Sequence, residues 1–276
     1  MKNIPYLGVG IGFRPELKPL IFLNRDKIDF IEIIADHYMD VPDSKMEELD
    51  FLKKHFIVIP HAINLSLGSA EGINDEYLNK LIKVIDFLQP PYWSEHISYT
   101  QAHGYDIGHL APIVFNSQFL EVLKKNISHI KSKTKHALIL ENITYHIELP
   151  GREFSDAEFL NKLCETTDCG LLLDVTNAYI NSRNLGFNIL DFINELEVER
   201  IAQLHFVGYE HSEFQIVDTH ARKTQAEIFD VMEHLFMRHV PQGILLERDD
   251  RYEMTDEIIS DLTTARELMK KSRMWS

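Results

Sequence analysis

Hydrophobic and polar positions alternate along this chain in two rhythms. Short runs dense in Ile, Val, Leu and Phe recur, separated by longer stretches in which apolar residues return every three or four positions. The short runs are "YLGVGIGF" (6–13), "DFIEIIAD" (29–36), "FIVIPHAIN" (56–64), "YWSEHISY" (92–99), "HALILENIT" (136–144), "CGLLLDVTN" (169–177), "RIAQLHFVG" (200–208) and "GILLERDD" (243–250). Such runs predict strands buried on both faces. The longer stretches predict amphipathic helices. "DEYLNKLIKVIDFLQ" (75–89) gathers Tyr77, Leu78, Leu81, Ile82, Ile85 and Leu88 on one stripe, and "SQFLEVLKKNISHIKSKT" (117–134) repeats the pattern. "SDAEFLNKLCETTD" (155–168) opens with Ser155 and Glu158 in capping-box spacing. Residues 223–239 and 255–271 follow the same helical period, and Pro90, Pro150 and Pro241 fall in connections.

Eight strands alternating with helices predict an α/β fold, a (β/α)8 TIM barrel forming a single domain over residues 1–276. A doubly wound open sheet fits less well. "GVGIG" at 8–12 lacks the third glycine of a dinucleotide-binding turn and runs into "FRPEL", so it reads as a first strand packed closely against the barrel.

Polar residues of metal-ligand type sit at the carboxyl ends of these runs. They are His61, Glu95-His96, Glu141-Asn142, Asp174 with Asn177 beyond it, His205, and Glu247 with Asp249 and Asp250. "FQIVDTHA" (214–221) adds Asp218 and His220, two apart, so an extended segment would aim both the same way. Each has an ordinary explanation alone: a hydrogen-bonded core histidine, a turn at Asp218 or Asn177, a carboxylate paired with Arg14 or Arg248. In a parallel barrel, however, all strand ends meet at one rim. Several buried charges would then need compensation at once, and cations supply it. The excess of ligands over one ion suggests two or three metals, with Glu141 or Glu247 bridging. Mixed nitrogen and oxygen donors without thiolate suit Fe, Mn or Zn. His37, His103 and His109 follow strands and are candidates to contact substrate, whereas His55, His129, His136, His234 and His239 fall on helices or connections.

Composition narrows the classes further. The formal charge of -15 argues against a nucleic-acid surface and suits a protein that holds cations. Only Cys164 and Cys169 are present, which excludes a disulfide scaffold and reads as cytoplasmic, with both thiols buried and inert. No apolar run reaches the ~18 residues of a membrane span, and Arg14, Pro15 and Glu16 interrupt any signal-peptide core.

The motifs "PHAINLSLGSAEGIN", "SEHISYT", "LILENIT", "CGLLLDVTNAYINSRNLGF", "LHFVGYE", "DTHA" and "LLERDD", in this order, resemble the DUF692 family of multinuclear non-heme iron-dependent oxidative enzymes. Methanobactin- and thiaglutamate-biosynthesis oxidases belong to that family. The resemblance spans nearly the whole chain and rests on the joint order of seven motifs. It implies a TIM barrel with two or three irons (Fe2+/Fe3+) held by His61, His96, Glu141, Asn177, His205, Asp218, His220 and Glu247, Glu141 bridging. It implies O2 as co-substrate and oxidation at a mixed-valence iron pair of a residue, foremost a cysteine, in a ribosomally made precursor peptide. A partner protein that captures the leader peptide is also implied. Asp249 and Asp174 are candidates for proton handling or ligand orientation. The family often has Asn at Thr176, Gly at Ala62 and "LAGH" where "FVGYE" stands; none of these removes a ligand. Two other readings remain open on the residues: a xylose-isomerase-like isomerase or hydrolase using Zn or Mn without O2, and a barrel that keeps metal for structure alone.

Overall fold

The computed structural model describes residues 4–273. Eight parallel strands close into a barrel: β1 (Gly8–Gly12), β2 (Phe30–Ile34), β3 (Ile57–Ala62), β4 (Trp93–His96), β5 (Leu138–Glu141), β6 (Gly170–Asp174), β7 (Ile201–Phe206) and β8 (Gly243–Leu246). Each pairs with its neighbour in sequence, and β1 closes on β8 through Gly8↔Gly243 to Ile11↔Leu246. Gly10 permits the closure expected of "GVGIG": a Cβ there would come within 2.7 Å of the Phe30 ring and carbonyl.

Nine α-helices surround the barrel among the described residues: α1 (Lys18–Leu23), α2 (Asp43–His55), α3 (Asp75–Leu88), α4 (Ser117–Lys133), α5 (Asp156–Thr167), α6 (Val175–Leu185), α7 (Ile189–Glu195), α8 (Ala226–Phe236) and α9 (Thr255–Arg273). The predicted capping box is formed: Ser155 Oγ accepts from Glu158 N, and Glu158 Oε2 accepts from Ser155 N. None of the helices is long and apolar enough to cross a membrane.

Strand β6 ends at Asp174, as expected, and the Asp174 carboxylate caps α6 by accepting from Asn177 N. The structure departs from the sequence expectation in two places. First, helices α2, α6 and α7 form where no strong apolar stripe marks them in sequence; α2 buries only Leu49 and Leu52. Second, two antiparallel hairpins stand where loops were expected. One follows β4 (Tyr99–Ala102 with Tyr105–Ala111) and one follows β7 (Gly208–His211 with Ile216–Arg222).

The apolar interior has two parts. The larger lies between strands and helices and includes Ile11, Leu81, Leu123, Phe159, Leu204 and Met232. The smaller is a plug inside the barrel: Leu7, Phe30, Ile59, Tyr92, Ile139, Leu172, Ala202 and Leu245, one from each strand or from the residue just before it. Cys164 and Cys169 are buried and free, and burial pushes both thiols up, Cys164 to about 12.

Candidate metal centre

Two residues beyond the plug, on the same inward faces, the chemistry changes. Ile59 gives way to His61, Ile139 to Glu141, Leu172 to Asp174 and Leu245 to Glu247, because alternate residues of a strand share a face. Strand β7 contributes His205, and its pairing with β6 shifts between Leu171 and Leu172, a bulge that lets Ala202, Gln203 and His205 all serve the interior. The hairpin after β7 is bulged as well. Val217 pairs with Glu210 and Arg222 with Gly208, so the hairpin carries extra residues around Asp218 and His220. His220 takes a left-handed φ of 49°, a strained conformation for a non-glycine residue. The bulge re-aims its ring toward the strand ends.

Glu141 is the hub. Its Oε2 lies 3.3 Å from His61 Nε2 and 3.3 Å from His96 Nε2, and its Oε1 lies 3.2 Å from His205 Nδ1. Glu247 is a second hub, with Oε2 3.1 Å from His205 Nδ1 and 3.6 Å from His220 Nδ1. Each imidazole directs one nitrogen at these carboxylates, and its other nitrogen faces an outer group. His61 Nδ1 meets Ser94 Oγ at 2.7 Å, and His96 Nδ1 faces Glu95 at 3.5 Å. His205 Nε2 meets Glu32 at 2.9 Å, and His220 Nε2 meets Asp218 at 3.0 Å. Metal-ligating histidines show this inner and outer division.

Electrostatics in the buried cluster are tightly linked. Burial pulls the His96 imidazole down, but Glu141 and Glu95 outweigh it and hold it at about 9. His205 and His220 are raised well above the ordinary imidazole range, burial opposing and the surrounding carboxylates prevailing. Glu141 and Glu247 are lowered despite burial because histidines face them. Asp174 goes the other way: burial, then Glu141 and Asp218, push it far up.

The donors fit metal ions. Glu141 Oε2, Asp174 Oδ2, His205 Nδ1 and Asp218 Oδ1 are buried and make no hydrogen bond. Buried acceptors without a donor are costly, and a cation satisfies several of them together. Three groupings bring one ligand atom from each member within 4.8 Å of the others: His61, His96 and Glu141; Glu141, Asp174, His205 and Glu247; and His220, Glu247 and Asp249. The first two share Glu141 and the last two share Glu247, which suits adjacent ions bridged by carboxylates.

Among the sequence-derived candidates, His61, His96, Glu141, His205, His220 and Glu247 come together, and Asp174 and Asp249 join them as potential ligands. Asp218 sits behind His220. Asn177 lies in the first turn of α6, its Oδ1 accepting from Thr144 Oγ1 and its Nδ2 donating to Asn142 O at 3.3 Å. His37 is exposed on the turn after β2, and His109 is exposed on the first hairpin, its Nδ1 3.1 Å from Ile107 O. His103, 91 % exposed at that hairpin's tip, pairs with Glu71 at 3.0 Å. Sequence reasoning missed Glu32, Gln203 and Tyr92 behind His205. Glu32 carried the same signal as the ligands, an apolar plug residue, Phe30, two positions earlier. Arg14, considered only as a carboxylate partner, reaches Asp249 Oδ1 at 2.5 Å and Glu247 Oε1 at 3.7 Å.

Fold and site define a parallel-barrel protein whose carboxyl rim carries a histidine and carboxylate cluster able to hold more than one cation. The chain belongs to the family described as "RiPP precursor modification enzyme MbnB/TglH/ChrH", whose model matches residues 8–270. It is 27% identical over 263 residues to a UPF0276 protein of Caulobacter vibrioides, covering 95% of this chain and 94% of that protein. It is 31% identical over 280 residues to a UPF0276 protein of Streptomyces avermitilis, covering 99% of this chain and 57% of the relative. In architecture it is similar to D-psicose 3-epimerase of Clostridium cellulolyticum H10 (TM-score 0.65, 12% identity, 95% of this chain and 99% of that one). That likeness is one of fold alone.

Proposed function

We propose that this protein is a multinuclear iron-dependent oxidase that uses O2 to modify a cysteine of a ribosomally made precursor peptide, working in the cytoplasm beside a partner that holds the peptide's leader. Membership in a family of precursor-modifying enzymes supports the substrate class. The observation that carries the metal reading is the pair of shared carboxylates, Glu141 and Glu247, among four imidazoles, with Glu141 Oε2, Asp174 Oδ2 and His205 Nδ1 buried there without hydrogen-bond partners.

Bound iron would supply one-electron and O2 chemistry that side chains cannot. His61, His96, His205, His220, Glu141, Asp174 and Glu247 would hold it. The protein's own contributions follow from geometry. The plug of Phe30, Ile59, Ile139, Leu172 and Leu245 closes the barrel below the cluster, so substrate approaches from the rim. Asp249, 38 % exposed, is the most open carboxylate of the cluster; Arg14 at 2.5 Å and His220 at 3.0 Å orient it. It is placed to take or return a proton at the mouth. Asp174 sits deep, one oxygen committed to capping α6 and the other facing the cluster, a position suited to a ligand rather than to proton exchange with solvent.

The test is anaerobic purification followed by metal analysis, Mössbauer and EPR spectroscopy, then mass spectrometry of a cysteine-containing precursor peptide incubated with and without O2. About two or more irons per chain and an O2-dependent mass change are expected. Zinc or manganese alone, with turnover indifferent to O2, would instead establish an isomerase or hydrolase on the same scaffold.

A further inference from the structure

The interior of a parallel barrel is ordinarily filled by branched apolar side chains. Here three polar side chains are buried within it: Glu32 on β2, 3 % exposed, and Gln203 on β7 and Tyr92 before β4, both fully buried. Burying a carboxylate, an amide and a phenol is unfavourable by several kcal/mol unless each finds a partner. Each does, in one directional chain. Tyr92 Oη donates to Gln203 Oε1. Gln203 Nε2 donates to Glu32 Oε2 at 2.8 Å. Glu32 Oε1 is 2.9 Å from His205 Nε2.

The links leave little freedom. The Glu32 carboxylate only accepts, so it turns the amide nitrogen of Gln203 toward itself and leaves Oε1 to accept from the tyrosine hydroxyl. Gln203 Nε2 and His205 Nε2, 3.0 Å apart, converge on the same carboxylate. Glu32 therefore holds the Nε2 edge of the His205 ring on the plug side. His205 Nδ1 is then the nitrogen left for the rim, 3.2 Å from Glu141 and 3.1 Å from Glu247, with no hydrogen bond of its own. His61 and His96 present Nε2 to Glu141 instead. Apolar side chains of similar volume would fill this space at least as stably, so stability alone does not account for the chain.

We propose that Glu32, fixed by Gln203 and Tyr92, is a positioning residue that sets the orientation of His205 and presents its Nδ1 to the metal centre; this rests on the metal reading given above. The test loads ferrous iron anaerobically into the full chain as wild type, Glu32→Leu, Glu32→Gln, Tyr92→Phe and Glu141→Ala. Iron affinity, Mössbauer spectra and far-UV circular dichroism are recorded for each. Loss of such an outer partner typically weakens metal binding ~10–100-fold. Glu32→Leu is expected to show a loss of that size with one iron signal altered and circular dichroism unchanged. Glu32→Gln, whose amide oxygen can still accept from Nε2, recovers most of the affinity. Tyr92→Phe alters the same signal with a smaller loss. A folded Glu32→Leu that binds iron within twofold of wild type, with the wild-type spectrum, overturns the proposal. Should Glu32→Leu not fold, Tyr92→Phe decides: an altered signal supports the proposal and a wild-type spectrum overturns it. Wild type that takes up no more iron than Glu141→Ala overturns the metal reading and the proposal together.

Discussion

Ile139 and Glu141 lie two residues apart on the same inward face of β5, yet one belongs to the apolar plug and the other is the hub of the ligand cluster. The same step separates Ile59 from His61, Leu172 from Asp174 and Leu245 from Glu247. It spans about 6.6 Å of strand. Fold and chemistry are thus stacked along one barrel axis. The plug supplies packing, keeps water from below and withholds solvation from the carboxylates above it. The rim supplies histidines and carboxylates able to hold metal, whose buried charges are balanced by one another or by cations. A change in the plug should cost stability before it costs metal; a change in the rim should do the reverse.

The sharpest break of that comparison is Glu141→Ala. It removes the carboxylate shared by three imidazoles, and loss of bound metal by at least about 10³-fold in affinity is expected, that is ~4 kcal/mol or more, checked by metal analysis. Retained metal would show that Glu141 is no bridge. On the plug side, Ile139→Ala should lower unfolding free energy by ~2–5 kcal/mol in denaturant titration while metal per folded chain stays constant. Acid should act on the rim: His96 at about 9, with His205 and His220 also raised, must lose protons before binding metal. Metal affinity therefore rises with pH, ~tenfold per unit for each proton displaced, and calorimetry in buffers of different ionisation enthalpy should detect the protons released.

Two smaller effects lie outside both regions. Burial raises Asp261 to about 6 against hydrogen bonds from Thr224. A carboxyl raised on folding contributes stability below its unfolded value, and that contribution is lost as pH rises through about 6. The melting temperature of Asp261→Asn should therefore gain on that of wild type between pH ~4 and ~7. Ser155→Ala, which dismantles the capping box on α5, should cost ~1 kcal/mol and leave metal content untouched.

The barrel itself was legible because eight apolar runs and their intervening stripes obey two clean periods. The clustering of ligand-type residues at the rim was legible because His61, Glu141, Asp174 and Glu247 each stand at the carboxyl end of such a run. Asp218 and His220 were harder. Their spacing suggested one side of a strand, but a bulge and a left-handed backbone at His220 direct them, and neither has a sequence marker as plain as glycine. Glu32 escaped notice because it sits inside its run, "DFIEIIAD", and not at the end, so it looked like part of a strand's polar alternation. Helices α2, α6 and α7 were missed because no continuous apolar stripe marks them: α2 buries only Leu49 and Leu52, α7 only Phe192 and Ile193, and α6 buries Thr176, Asn177, Asn181 and Ser182 among its apolar residues behind the Asp174 cap.

The hairpin that bears Asp218 and His220 is fastened to α6 by the stacking of Tyr209 on Tyr179 and, nearer its tip, by a clasp in which Asn184 Oδ1 accepts from Ile216 N and Asn184 Nδ2 donates to Ile216 O. Beyond that clasp runs the tip around Phe214, which is 89 % exposed. Insertions or deletions past the clasp leave the staves of the barrel undisturbed. Over evolutionary time the tip can therefore be recut in length and composition, while the histidine and carboxylate cluster at the strand ends keeps its place.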